Sequence, residues 1–105
     1  MTWVRVCAEN ELAPGETRVV WDGNTAILVL NFDGGLYAVE DRCTHEDYEL
    51  SAGPFDAEEG VLECLLHSAK FDVRSGAALC GPAQLPLVKF PVKVEDGVVW
   101  TRDDR

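Results

Sequence analysis

The sequence predicts an all-β protein, and three observations carry that prediction. Short apolar segments recur with turn residues between them, no segment keeps a 3.6-residue apolar period over ten or more positions, and glycine-bearing turns stand where hairpins need them. Strands are predicted over residues 4–7, 17–20, 26–31, 36–40, 61–64, 70–72, 77–79, 89–94 and 98–101. A short helical turn fits residues 9–12, ahead of the break at Pro14-Gly15. Asp22-Gly23-Asn24, Asp33-Gly34-Gly35, Ser75-Gly76 and Asp96-Gly97 each offer glycine to a turn that needs positive φ, so hairpins should dominate the topology. Residues 41–59 differ: they lack a strand period and carry Cys43, His45, Gly53 and Pro54. A loop of that length inside a compact domain is expected to have a function, and a bound metal is one way to order it.

A chain of 105 residues has room for one modest core, so a single domain over residues 1–105 is expected. Hydrophobic residues make up 47% and charged residues 27%, the ordinary globular range, and no apolar run approaches the roughly 20 residues a bilayer requires. The start, Met1-Thr2-Trp3-Val4-Arg5-Val6, lacks the apolar stretch and small-residue site of a secretory signal, so a cytoplasmic protein without a membrane anchor is expected. Nine Lys and Arg stand against 19 Asp and Glu, a formal charge of −10, which would repel nucleic-acid phosphates. Glu46, Asp47, Glu49, Asp56, Glu58 and Glu59 crowd the unusual loop and its sequel, either as a solvated face or as a docking surface for a basic protein.

The chemistry is concentrated in two places. The chain reads Cys43-Thr44-His45 in one and Cys64-Leu65-Leu66-His67 in the other. These are the only two histidines, and each lies within three residues of a cysteine. Four cysteines in a chain of cytosolic character read as metal ligands or core thiols before disulfides. Cys43, His45, Cys64 and His67 together form a Cys2His2 donor set that both zinc and a 2Fe-2S cluster with mixed ligands accept. Zinc fingers usually pair two cysteines in one arm and two histidines in the other, whereas each arm here is mixed. Two mixed arms side by side can each span a pair of irons, one bound by both thiolates and the other by both imidazoles, so the pattern fits two irons better than one zinc.

On these motifs the chain resembles the Rieske family, whose signature is C-x-H followed after some 15 to 20 residues by C-x-x-H. The resemblance continues through Lys70-Phe71-Asp72, Ser75-Gly76 and the stretch from Leu87 through Phe90-Pro91 to Asp96-Gly97. It implies a Rieske-type antiparallel β-sandwich with a small cluster-binding subdomain over about residues 41–86, and one 2Fe-2S cluster. Within the family the chain is most similar to the ferredoxins of bacterial ring-hydroxylating dioxygenases. That implies a monomeric electron carrier, not an enzyme, between a flavin-dependent ferredoxin reductase and a terminal oxygenase. Asp47, Tyr48 and Leu66 stand where respiratory members place an extra disulfide, so none is expected beside the cluster. Ala69 and Phe71 stand where high-potential members place a Ser and a Tyr hydroxyl. Without those hydrogen bonds to sulfur, the potential should fall at the low end of the Rieske range, about −150 mV. Neutral imidazoles leave the oxidised cluster formally uncharged, and His45 and His67 should form the electron's exit path.

Cys7 and Cys80 remain as structural thiols, and Gly81-Pro82 resembles the family's loop that shields the cluster. Trp3, Trp21 and Trp100 read as core or sheet-edge residues. An oxygenase iron would need two further histidines, and both are already used. The alternatives are a Rieske-like small subunit of a larger reductase such as nitrite reductase, or a zinc-stabilised binding module.

Overall fold

A computed structural model of the chain describes residues 2–44, 48–65, 68–80 and 85–105. Eleven strands are described, with no α-helix among the described residues. They are β1 (Val4–Ala8), β2 (Thr17–Asp22), β3 (Thr25–Phe32), β4 (Gly35–Glu40), β5 (Phe55–Asp56), β6 (Val61–Glu63), β7 (Lys70–Asp72), β8 (Ala78–Cys80), β9 (Lys89–Phe90), β10 (Val92–Glu95) and β11 (Val98–Thr101). All pairings are antiparallel and give three sheets, ordered β1-β11-β10, β2-β3-β4-β9 and β5-β6-β7-β8.

The middle layer follows from the run Ala26-Ile27-Leu28-Val29-Leu30 in β3. A strand wetted on one face alternates apolar and polar residues, whereas a continuous apolar run needs cover on both faces. Ile27, Leu28, Val29 and Leu30 are all fully buried. Ile27 and Val29 face a core shared with Val6, Cys7, Ala38, Phe90 and Val99. Leu28 and Leu30 face a second core with Val39, Cys43, Leu50, Leu62, Cys64 and Phe71. Each such side chain contributes about 1.5–3 kcal/mol of burial, so β3 is the keel that joins the outer β-sheet to the inserted one. At the end of β3 the Phe32 ring meets Phe55 edge-on, centroids 6.2 Å apart, which fixes the third sheet against the second.

The predicted turns lie where expected. Asp33 and Gly34, at φ 51° and 78°, link β3 to β4, and Asp96 and Gly97, at φ 54° and 74°, link β10 to β11. Two positive-φ residues in succession are what a tight primed hairpin turn requires. The helical turn expected at 9–12 is a single 3-10 turn, Glu9–Glu11.

Two strand expectations needed revision. The segment read as one strand over 89–94 divides at Pro91, which has no N–H to donate. Lys89–Phe90 pairs with β4 while Val92–Glu95 pairs with β11, so the chain changes sheets there. Residues 41–59, read as loop, also contain a 3-10 turn at Leu50–Ala52 and the two-residue β5 opposite Leu62 and Val61. Cys7 sits beside a bulge between Arg5 and Cys7, where Val6 and Cys7 both turn inward, and is a buried free thiol in the outer core. Trp21, on edge strand β2, is 62% exposed and is therefore a sheet-edge residue only.

Candidate metal centre

The inserted sheet β5–β8 lies between β4 and β9 in the chain, and the two cysteine arms are built where it joins the middle sheet. The first arm leaves β4 through Asp41, whose N–H donates to Ala26 O at 2.9 Å and so extends the β3–β4 edge by one residue. Cys43 follows, 1% exposed, and its N–H donates to Tyr48 O at 2.9 Å. The second arm leaves β6 directly into Cys64, fully buried, whose N–H donates to Ala69 O at 2.8 Å. Ser68, at φ 58°, turns the chain back so that its N–H donates to Cys64 O at 2.9 Å. In both arms the cysteine N–H thus closes onto the carbonyl five residues later. Each loop is pinched at a neck whose first residue is a buried cysteine.

Cys43 and Cys64 belong to one packed cluster with Leu50, Leu62, Ala69, Phe71 and Leu87, with Tyr48 and Phe55 against it. Of the four expected ligands the structure therefore brings Cys43 and Cys64 into one core. His45 and His67 lie outside the described residues, as do Glu46, Asp47 and Leu66. By position in the chain His45 falls inside the loop closed from 43 to 48, and His67 inside that closed from 64 to 69. Ala69 and Phe71 are fully buried beside the cysteines and supply no hydroxyl there. The side chain of Cys80, like Gly81 and Pro82, lies outside the described residues.

Four contacts went unseen in the sequence. Gly53, at the end of the 3-10 turn, lies so near β6 that a β-carbon on it would stand 2.0 Å from Glu63 O, one residue before Cys64. Glu63 N–H donates to Pro54 O at 3.2 Å across the same junction. Asp41, 5% exposed, accepts Ser51 N–H at 2.7 Å on Oδ1 and Ser51 Oγ–H at 2.6 Å on Oδ2, tying the two ends of the first loop together. Thr44 Oγ1 donates to Leu85 O at 2.7 Å, joining the first arm to the chain that follows residue 84. A charged residue directly after an apolar strand was the available signal for Asp41, and Gly53-Pro54 for the close approach. Of the acidic residues, Glu49, Asp56, Glu58 and Glu59 are exposed, and Asp56 Oδ1 accepts the N–H groups of Glu58 and Glu59 at 3.0 and 3.1 Å to shape its own turn.

Two pinched loops with a buried thiol at each neck and, by sequence, one histidine in each, carried on layered antiparallel sheets, suit a two-loop iron–sulfur protein. The donor set fits such a cluster: soft thiolates held in an apolar core, with two imidazole residues two and three positions farther along the loops. The model of the Rieske [2Fe-2S] domain family matches residues 2–91, and the chain belongs to that family. It is 44% identical over 95 residues to the ferredoxin component of biphenyl 2,3-dioxygenase from Rhodococcus jostii strain RHA1, covering 90% of this chain and 87% of that one. The ferredoxin of carbazole 1,9a-dioxygenase from Nocardioides aromaticivorans IC177 superposes with a TM-score of 0.90 at 31% identity, over 99% of this chain and all of that one. A ferredoxin solved in complex with the oxygenase of carbazole 1,9a-dioxygenase gives a TM-score of 0.87 at 36% identity, over 95% and 92% of the two chains. The chain is thus an electron carrier with one Rieske-type 2Fe-2S cluster, and not itself an enzyme. No helix among the described residues is long and apolar enough to cross a membrane.

Proposed function

We propose that this chain is the ferredoxin component of an aromatic ring-hydroxylating dioxygenase system, taking one electron at a time from a flavin-dependent reductase and passing it to a terminal oxygenase. The observation that carries this reading is near full-length likeness, in sequence and in fold, to ferredoxins of such systems, one of them solved with its oxygenase. We assign Cys43 and Cys64 to one iron and His45 and His67 to the other. On this reading residues 1–105 form a single domain, and about 41–86 its cluster-binding subdomain. The bound cluster supplies reversible uptake of a single electron.

The chain's own residues supply the rest. The apolar wall of Leu50, Leu62, Ala69 and Phe71 excludes water from the thiolate side. Ala69 and Phe71 place no hydroxyl near the sulfurs, which suits a potential near the low end of the Rieske range, about −150 mV. Leu65 and Leu85 are 54% and 65% exposed, and each adjoins a ligand loop. Exposed leucines there suit a dry contact through which the histidine side meets a partner. Among the described residues Cys7, Cys43 and Cys64 are buried free thiols, which suits a carrier of a reducing compartment such as the cytoplasm.

The test is electron delivery. The protein is reduced with dithionite, freed of excess reductant and mixed with an oxidised biphenyl-type terminal oxygenase in a stopped-flow spectrometer. One electron per ferredoxin should appear in the oxygenase within the turnover time. A reduced ferredoxin that stays reduced beside several such oxygenases would overturn the assignment.

A further inference from the structure

Asp41 is a nearly fully buried carboxylate that the ligand set does not use. Both of its oxygens are occupied by one residue, Ser51, ten positions later, through the backbone N–H at 2.7 Å and the hydroxyl at 2.6 Å. Its own N–H is bonded to Ala26 in the central strand β3. The carboxylate therefore ties the far limb of the first loop, beyond Tyr48, to the sheet from which the near limb departs. Cys43 lies two residues away, between those two limbs. A surface carboxylate would serve the same loop with less desolvation, and a buried one is retained at a cost. Glu40, Arg42 and Glu49 line the same open surface hollow as Asp41 and Ser51; Arg42 and Glu49 are exposed, whereas Asp41 is 5% exposed and so less screened by water.

We infer that Asp41 is a positioning residue of the cluster site that does two things at once: with Ser51 it fixes the first ligand arm, and its buried negative charge lowers the cluster's reduction potential. The inference rests on the ligand assignment proposed above. One residue, Arg42, separates Asp41 from the Cys43 ligand, at most about 7.6 Å between Cα atoms. Allowing for the two side chains, charge and cluster lie on the order of 12 Å apart, and a unit charge at that distance, in an effective dielectric of about 20, changes a one-electron equilibrium about tenfold.

The test measures the midpoint potential of the holoprotein by spectroelectrochemistry, with EPR of the reduced state. Asp41→Asn keeps the shape and can still accept Ser51 N–H, but removes the charge. It should raise the reduced-to-oxidised ratio at a fixed potential about tenfold, about 59 mV for one electron. Ser51→Ala keeps the charge and removes one hydrogen bond that partly neutralises it, so it should move the potential the other way, by a smaller factor. A purely structural tie predicts no such opposed pair of shifts. Unchanged potentials in both variants, or shifts of the same sign, would overturn the inference. If Asp41→Asn fails to hold a cluster, Ser51→Ala still decides: a lowered potential upholds the role of the charge, and an unchanged or raised one removes it. Failure of the ligand assignment would show separately, in the wild-type spectrum.

Discussion

Gly53 offers the sharpest test of how the two ligand loops are held. Its φ of −98° is open to any residue, so Gly53→Ala carries no backbone penalty, and the whole effect must come from what the methyl meets. That is Glu63 O at 2.0 Å and Glu63 C at 3.2 Å, both backbone atoms of β6. Ordinary contact needs about 3.4 Å or more, so the 3-10 turn and β6 must part by more than about 1 Å. Overpacking of this kind costs about 1–3 kcal/mol, and losing the Glu63–Pro54 hydrogen bond adds about 1 kcal/mol. We expect about 3 kcal/mol in all, which over 105 residues corresponds to a fall of roughly 13 °C in melting temperature. Gly97→Ala is the control. It meets nothing within 4 Å but sits at φ 74°, so it bears only the left-handed backbone penalty of about 1 kcal/mol. Thermal melts of the holoproteins would be followed by far-UV circular dichroism and by visible absorbance. Gly53→Ala should also bleach before it unfolds, because the displaced strand leads directly into Cys64. If Gly53→Ala melts no lower than Gly97→Ala, the close packing of the two arms is wrong.

Other predictions follow from the same geometry. Ile27→Ala and Leu28→Ala should each cost about 2–5 kcal/mol in urea unfolding, but only Leu28→Ala, which opens the core containing Cys43 and Cys64, should alter the visible spectrum. Cys64→Ser should abolish stoichiometric iron and acid-labile sulfide, whereas Cys7→Ser, in the other core, should retain both and lose only stability. Asp72 has its acidity strengthened chiefly by the Ser75 hydroxyl, which donates to Oδ2 at 2.7 Å. A carboxylate held below its ordinary 3.8 contributes stability above that pH and loses it as the pH falls through the lowered value. The difference in urea midpoint between wild type and Ser75→Ala should therefore be present at pH 7 and shrink as pH falls below 3.8. A difference that grows on acidification would contradict the assigned partner.

The cysteine half of the proposed site and most of the fold were legible for local reasons. Hairpin turns announce themselves through residues such as Asp33-Gly34, whose backbone needs are written in their chemistry. The keel strand was visible as an apolar run, and its burial on both faces follows from that run. The cysteine and histidine pairs stood out because the chain has so few histidines. What escaped the sequence depends on distant partners. β5 is two residues long and exists only because Leu62 and Val61 lie opposite. The split at Pro91 was signalled by the proline, but which sheets receive the two halves is set by β4 and β11. The Asp41–Ser51 tie and the Gly53–Glu63 approach join positions ten residues apart in sequence; local residues mark one end of each, but nothing local names the partner.

On the proposed ligation Cys43, His45, Cys64 and His67 hold one 2Fe-2S cluster. This ligation is tested most directly by pulsed EPR of the dithionite-reduced protein grown with 15N-histidine. With only two histidines in the chain, every labelled coupling reports on His45 or His67. Ligation by both histidines should give a rhombic signal with mean g below that of a four-thiolate cluster, and two strong nitrogen couplings that change with the label. A colourless, EPR-silent protein containing zinc, or an iron–sulfur signal indifferent to the label, would contradict it.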